Sequence, residues 1–237
     1  MALPLLKRDD YRFPDPRAAA SSPNGLLAVG GDLAPQRLLR AYSEGIFPWF
    51  NSDSEPILWW SPDPRAVIDP RSFKPSRSLR KRLRRGDFSC RMDTRFEAVV
   101  QACASTPRRD GAGTWITKSM QSAYIELHKS GYAHSIEVMQ DGCLVGGLYG
   151  LSLGDMFFGE SMFSTTSDAS KAAFATLCGQ LGQWGFSLID CQMMNDHLAS
   201  LGVVELPRDA FLDRLSSSKT IPTRRGPWEL SHNLTGV

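Results

Sequence analysis

Apolar residues along this chain change period several times, and each change marks a predicted element. In PNGLLAVGGDL two apolar runs are punctuated by turn residues, and Leu38, Leu39 and Tyr42 then share one helical face that Gly45 closes. The prolines of GIFPWF and ILWWSPDPR forbid a regular helix, so these segments read as extended, aromatic-rich connections. Leu79 and Leu83, one helical turn apart, dock a predicted helix from Ser78 to Arg85 with Gly86 as its cap. Phe96, Val99, Val100 and Cys103 predict another helix, and Met120, Ala123, Tyr124 and Leu127 a further one that stops at Gly131.

The period shortens after His134. HSIEVMQ reads as a strand, Asp141-Gly142 as a hairpin turn, CLVGGLYGLSL as a second strand and DMFFGESMF as a third. Phe174, Leu177, Leu181 and Trp184 mark a helix ended by Gly185, and FSLIDCQMM a short apolar strand. A three-stranded meander, a helix and a strand make an α+β order, compatible with the acyltransferase fold of N-acetyltransferases. A boundary near Pro64 divides the chain into a smaller unit, 1–64, and a larger one, 65–237. Gly146-Gly147 inside a strand predicts a bulge or a close backbone approach.

Composition changes this picture in three places. With 237 residues, 42% of them hydrophobic, the chain can bury a sizeable core. No apolar run approaches the roughly 18 residues of a membrane span. Met1 to Asp10 turns charged after six residues, too soon for a secretory signal, so a soluble cytoplasmic protein is expected. The five cysteines form no C-x-x-C pair and read as buried thiols in a reducing compartment. His128, His134, His197 and His232 are scattered, read as packed or surface residues, and with no H-E-x-x-H suggest no metal cofactor. Net charge is only +2, but residues 71–85 hold eight Lys or Arg and no acid, leaving 19 bases against 25 acids elsewhere. A short cationic segment on an acidic body is the footprint of a polyanionic partner. Arg77, Arg80, Lys81 and Arg84 share the face opposite the two leucines.

Several residues could carry chemistry. Asp190 and Gln192, two apart on a predicted strand, point to one face and form an acid–amide pair able to hold a nucleophile. The competing reading is a strand-end Asp that caps the next turn. Glu160 in FFGESMFS is either a turn residue or an anchor for a cationic group. Trp49 and Trp115 sit in irregular segments, as satellite core or as stacking platforms. Tyr42 and Tyr124 read as packed helix residues whose hydroxyls need partners. No G-x-x-x-x-G-K-[ST] and no strand-linked G-x-G-x-x-G occurs, so an ATP- or NAD-dependent reaction has no evident home.

Taken together, the blocks FPDPRAA, GLLAVGGDL, RLLRAYSEGIFPWF, ILWWSPDPR, SRSLRK, GTWIT, AY-x-x-LH, AHSIEV, LVGGLYG, FFGESMFS, SKAAF, IDCQ and SLG resemble leucyl/phenylalanyl-tRNA–protein transferases. They run in order over roughly residues 13–211. The resemblance implies an acetyltransferase-like domain behind a smaller N-terminal one. It also implies transfer of Leu, Phe or Met from aminoacyl-tRNA to proteins beginning with Arg or Lys, which marks them for N-degron proteolysis. It places the acid–amide pair on Asp190 and Gln192, the pocket glutamate on Glu160 and the aromatic walls on Trp49 and Trp115. Tyr42, Tyr124 and Asn195 are neighbouring contacts by the same resemblance, and the tRNA-binding cluster matches residues 77–85, including Arg85. Leu148 and Leu177 stand where the family often has Met or Phe, which leaves the preference among the three amino acids open.

The chemistry needs no cofactor. An aminoacyl ester is already activated, so its aminolysis is downhill, and an α-amine with a pKa near 8 is partly neutral at cytosolic pH. On this reading Gln192 holds the attacking amine, Asp190 orients the Gln192 amide, and Glu160 pairs with a substrate amine. Two other readings compete with it. An acetyl-CoA-dependent N-acetyltransferase would carry a glycine-rich pyrophosphate loop, and FSTTSDASKAAF has no glycine. A non-enzymatic RNA-binding module would leave Asp190, Gln192 and Glu160 unexplained. No self-association signal stands out, so a monomer is expected.

Overall fold

The computed structural model describes residues 3–106 and 115–231. The chain opens with β1 (Leu5–Leu6), β2 (Leu26–Gly30), helix α1 (Pro35–Ser43), β3 (Phe47–Pro48) and β4 (Leu58–Trp60). These strands make a four-stranded sheet in the order β1-β2-β4-β3. Helix α1 ends at Gly45, whose φ of +76° suits glycine. Its buried face is Arg37, Leu38, Ala41 and Tyr42, so Arg37 takes the place expected of the half-buried Leu39. Burial of this arginine is tolerated because its guanidinium donates to the carbonyls of Lys7, Arg8 and Asp10 at 2.7, 3.1 and 2.9 Å and pairs with Asp32 at 3.1 Å.

Past Pro64 come β5 (Arg65–Ile68), α2 (Arg77–Arg84), β6 (Ser89–Met92), α3 (Phe96–Ser105), α4 (Lys118–Lys129), β7 (Ala133–Gln140), β8 (Cys143–Leu153) and β9 (Met156–Ser164). Then follow α5 (Ala169–Gln183), β10 (Leu188–Gln192), α6 (Asp196–Ser200), β11 (Val204–Leu206) and α7 (Arg208–Ser218). They form a seven-stranded sheet in the order β11-β5-β10-β9-β8-β7-β6. Neighbours are antiparallel except β9 and β10, which run parallel because α5 crosses over between them. The meander, helix and strand thus appear in the expected order.

Local chemistry explains the meander. Asp141 and Gly142 both have positive φ, 50° and 78°, as a two-residue hairpin turn requires. A Cβ at Gly146 would lie 2.6 Å from that of Ala169, and one at Gly147 2.6 Å from the Ile136 carbonyl oxygen. The paired glycines therefore allow α5 and β7 to close on β8, the approach anticipated from sequence.

Helix α2 begins one residue earlier than expected, because the Ser76 hydroxyl accepts the Leu79 N–H at 3.2 Å and caps it. Leu79 and Leu83 are buried, each worth about 1.5–3 kcal/mol. That burial holds down a helix whose Arg77, Arg80, Lys81, Arg84 and adjoining Arg85 are all exposed. Arg82 is the exception. It donates to the Ser167 carbonyl at 2.5 Å and pairs with Asp168 at 3.3 Å, which fastens α2 to the start of α5.

The large sheet separates two apolar clusters. One unites α1, α3, α4, α7 and the small sheet with Tyr149, Phe158 and Leu188; the other packs α2, α5 and α6 on Phe157, Ile189 and Leu148. Strands β6 and β11 and helices α6 and α7 were not anticipated, being short or weakly periodic. The C-terminal residues also proved informative. Trp228 is buried against His134, ring centroids 3.5 Å apart, and Asp93 accepts from the Trp228 backbone N–H at 2.7 Å and from His134 Nδ1 at 2.8 Å. Burial pulls the His134 pKa down. The expectation of buried thiols holds for Cys103 and Cys178 only: Cys143 is exposed at the hairpin, and Cys90 and Cys191 are intermediate. His232 lies outside the described residues, as do Gly113 and Thr114 of GTWIT. Among the described residues no helix is long and apolar enough to cross a membrane.

Candidate active site

Strands β9 and β10 pair only as far as Phe158 and Asp190. Beyond that they part, and a cavity of about 690 Å³ occupies the fork. Its walls are mostly apolar: Phe47 of the small sheet and Trp49 just beyond it, Trp115, Leu148 and Phe157, Met162, Leu177, and Ile189 with Cys191. Glu160, Gln192, Asn195 and His197 bring polar atoms to this lining. An apolar chamber with a few converging polar groups suits a small ligand held in one orientation.

Glu160 is the centre of the polar group. It lies mid-strand on β9 rather than at a turn, and it is buried. Its Oε1 accepts from Tyr42 at 2.6 Å and from the Gln192 side-chain amide at 2.9 Å, and its Oε2 accepts from Tyr124 at 2.8 Å. Tyr42 and Tyr124 also hydrogen-bond each other. Burial pushes the Glu160 pKa up to about 7, against the lowering effect of the tyrosine hydrogen bonds. Burial likewise raises both tyrosines well above the usual phenol value.

Asp190 is built differently. It is fully buried, and Arg65, equally buried, clasps it with Nε to Oδ1 at 2.8 Å and Nη2 to Oδ2 at 2.7 Å. Oδ1 also accepts the Gln192 backbone N–H at 2.9 Å. At that point β10 bulges against β5, and Gln192 has a φ of +65°. Two expectations are corrected here. Regular strand alternation does not extend to Gln192, because the bulge breaks it. Asp190 fixes the Gln192 backbone, while Glu160 takes the side-chain amide.

Of the residues singled out from sequence, Trp49, Trp115, Leu148, Leu177, Glu160, Gln192 and Asn195 line the cavity. Tyr42 and Tyr124 stand behind Glu160, and Asp190 stands behind Gln192. The Asn195 side chain is committed to capping α6 through the Leu198 N–H at 2.9 Å. Arg77, Arg80, Lys81, Arg84 and Arg85 are not part of the cavity lining; the first four lie on α2 and Arg85 caps its end. Sequence reasoning missed Arg65, Phe47, Phe157, Met162, Ile189, Cys191 and His197. For Arg65 a signal existed: it is the lone charge in the buried strand RAVI. Among the described residues no group of three or more His, Cys, Asp or Glu could hold a metal ion.

A family model described as leucyl/phenylalanyl-tRNA protein transferase matches residues 67–216, and one for the N-terminal domain of the same enzymes matches residues 31–63. The chain belongs to this family. A leucyl/phenylalanyl-tRNA–protein transferase of Nitrosospira multiformis is 56% identical over 97% of this chain and 98% of its own length. Those of Stutzerimonas stutzeri and Cellvibrio japonicus are 56% and 57% identical over 90% and 88% of this chain, and over 94% and 88% of theirs. Among solved structures, a GCN5-related N-acetyltransferase from Kribbella flavida is similar with a TM-score of 0.38 and 12% identity, over 72% of this chain and 59% of that one. Membership in the leucyl/phenylalanyl-tRNA–protein transferases makes the chain a transferase, and it sets aside both the acetyl-CoA and the non-enzymatic readings.

Proposed function

We propose that the fork between β9 and β10 receives the aminoacyl end of a charged tRNA. The amino-acid side chain sits among Leu148, Met162, Leu177 and Ile189, and its ester faces Gln192 and Glu160. The observation that carries this reading is the meeting of a buried carboxyl and a fixed amide at the polar end of an otherwise apolar chamber. The acceptor is a protein with Arg or Lys at its N-terminus, whose α-amine attacks the ester carbonyl. The amine loses a proton as the new C–N bond forms, and the ribose oxygen gains one as the C–O bond breaks. Glu160 is suited to carry that proton, because its pKa of about 7 lies close to that of the amine. Gln192 holds the amine in line, and Trp49 and Trp115 flank it. Product chains are marked for N-degron proteolysis.

Residues 1–64 are a smaller unit that supplies Phe47 and Trp49 to the aromatic wall, and residues 65–237 are the transferase unit, which adds Trp115. We place the protein in the cytoplasm as a monomer. Single-turnover transfer of labelled Phe from Phe-tRNA to an Arg-starting peptide tests the function directly, and absence of product would refute it.

The exposed cations of α2 bind the tRNA. Four to six phosphate contacts predict that log affinity falls against log salt with a slope of about −3 to −5. Replacing Arg80 and Lys81 with Ala should flatten the slope by about 2. A salt response that the substitutions leave unaltered would remove this helix from the interface.

A further inference from the structure

We propose that Arg65 is a positioning residue of the transfer reaction, its guanidinium fixing the aromatic wall of the cleft against the strand that carries Gln192. The inference rests on the reading of the cleft given above. Three separate segments, Gly45–Phe47, β10 and α7, meet on this one buried side chain. Asp190 of β10 takes the two-pronged contact already described, and the Gly45 carbonyl after α1 accepts from Nη1 at 3.1 Å. The rings of Phe47 on β3 and Phe211 on α7 lie on the guanidinium at 4.8 and 4.7 Å from its carbon. Phe47 lines the cavity and leads directly into Trp49. Asp190 holds the backbone N–H of Gln192 at 2.9 Å, and the Gln192 amide meets Glu160 at 2.9 Å. The guanidinium therefore connects the wall to the reacting groups through contacts that each have one geometry.

Stability is a weak reason for such a pair. Burying two charges roughly cancels their attraction, and apolar replacements often fold as well. Orientation is the stronger reason, since a misplacement of about 1 Å between amine and ester costs on the order of 100-fold in rate. Lysine in this place would keep the positive charge but lose the planar fork, the bond to Gly45 and the flat faces for the two rings.

Arg65→Lys and Phe211→Leu, made in the full chain, test this with Phe-tRNA and an Arg-starting peptide. Arg65→Lys is expected to lower the single-turnover plateau rate about 100-fold. The half-saturating tRNA concentration should stay within about threefold, and the pH at which the rate is half-maximal should not move, because the charge is retained. Phe211→Leu, which touches neither substrate, should lower the plateau roughly 5- to 10-fold with the same pattern. Plateau rates within about twofold of the parent in both folded variants, or a loss confined to tRNA binding, would overturn the proposal. Should Arg65→Lys fail to fold, Phe211→Leu decides alone. A parent protein that transfers nothing would instead defeat the proposed function, so the two failures are distinguishable.

Discussion

Asp190→Ala is expected to lower the stability of the fold by about 3–5 kcal/mol, because it leaves the Arg65 charge buried without its counterion. Both side chains have no solvent exposure (0% each), so water cannot take over the lost contacts. The same change releases the Gln192 backbone N–H at its bulge, and transfer should fall by 100-fold or more on that account, about the effect of misaligned reactants. Urea denaturation would show the stability loss as a lower midpoint with an unaltered slope. Replacing the whole pair, Asp190→Leu with Arg65→Met, should recover most of the stability while transfer stays 100-fold or more below the parent. A loss below about 1 kcal/mol in Asp190→Ala would mean that the guanidinium is neutralised elsewhere.

Glu160→Gln carries the second large effect, and its sign depends on pH. Burial pushes the Glu160 carboxyl up to about 7, from 4.5 for an ordinary exposed glutamate. Stability tied to the neutral form is fully present below about 4.5 and is lost as pH rises through about 7, a total of roughly 3 kcal/mol. Glutamine cannot ionise, so the variant should match the parent near pH 4 and exceed its stability by roughly that amount at pH 8. Activity should move the opposite way. A rate that rises through pH 7 in the parent, as the carboxylate and the free amine both appear, should drop about 100- to 1000-fold in the variant and lose the carboxylate limb. A stability difference that does not change with pH would show that Glu160 is already ionised in the acid range.

Much of this architecture was legible in advance because its elements are long and strictly periodic. Strand β8 spans the stretch read as CLVGGLYGLSL, and the hairpin at Asp141-Gly142 follows from two residues that tolerate positive φ. The short strands β6 and β11 escaped notice because three or four residues define no period, and Trp228 because its partners lie far away in sequence. The cavity residues fell into two groups. Those in resembling blocks, such as Trp49 and Glu160, could be named. Arg65 could not be paired with Asp190, since nothing local tells a buried cation which carboxylate it will face across 125 positions of chain. Gln192 was misjudged for the opposite reason: alternation is a local rule, and the bulge that breaks it is set by the neighbouring strand.

The meeting of Gly45, Phe47 and Phe211 around one guanidinium has a bearing on biosynthesis. These groups come from near opposite ends of the polypeptide, and contacts of such long separation close late. A ribosome-bound chain interrupted before α7 therefore lacks the Phe211 ring on one side of this guanidinium. In such an unfinished molecule Phe47, and the stretch that runs on into Trp49, would rest on a cation still uncovered on the side that α7 later closes.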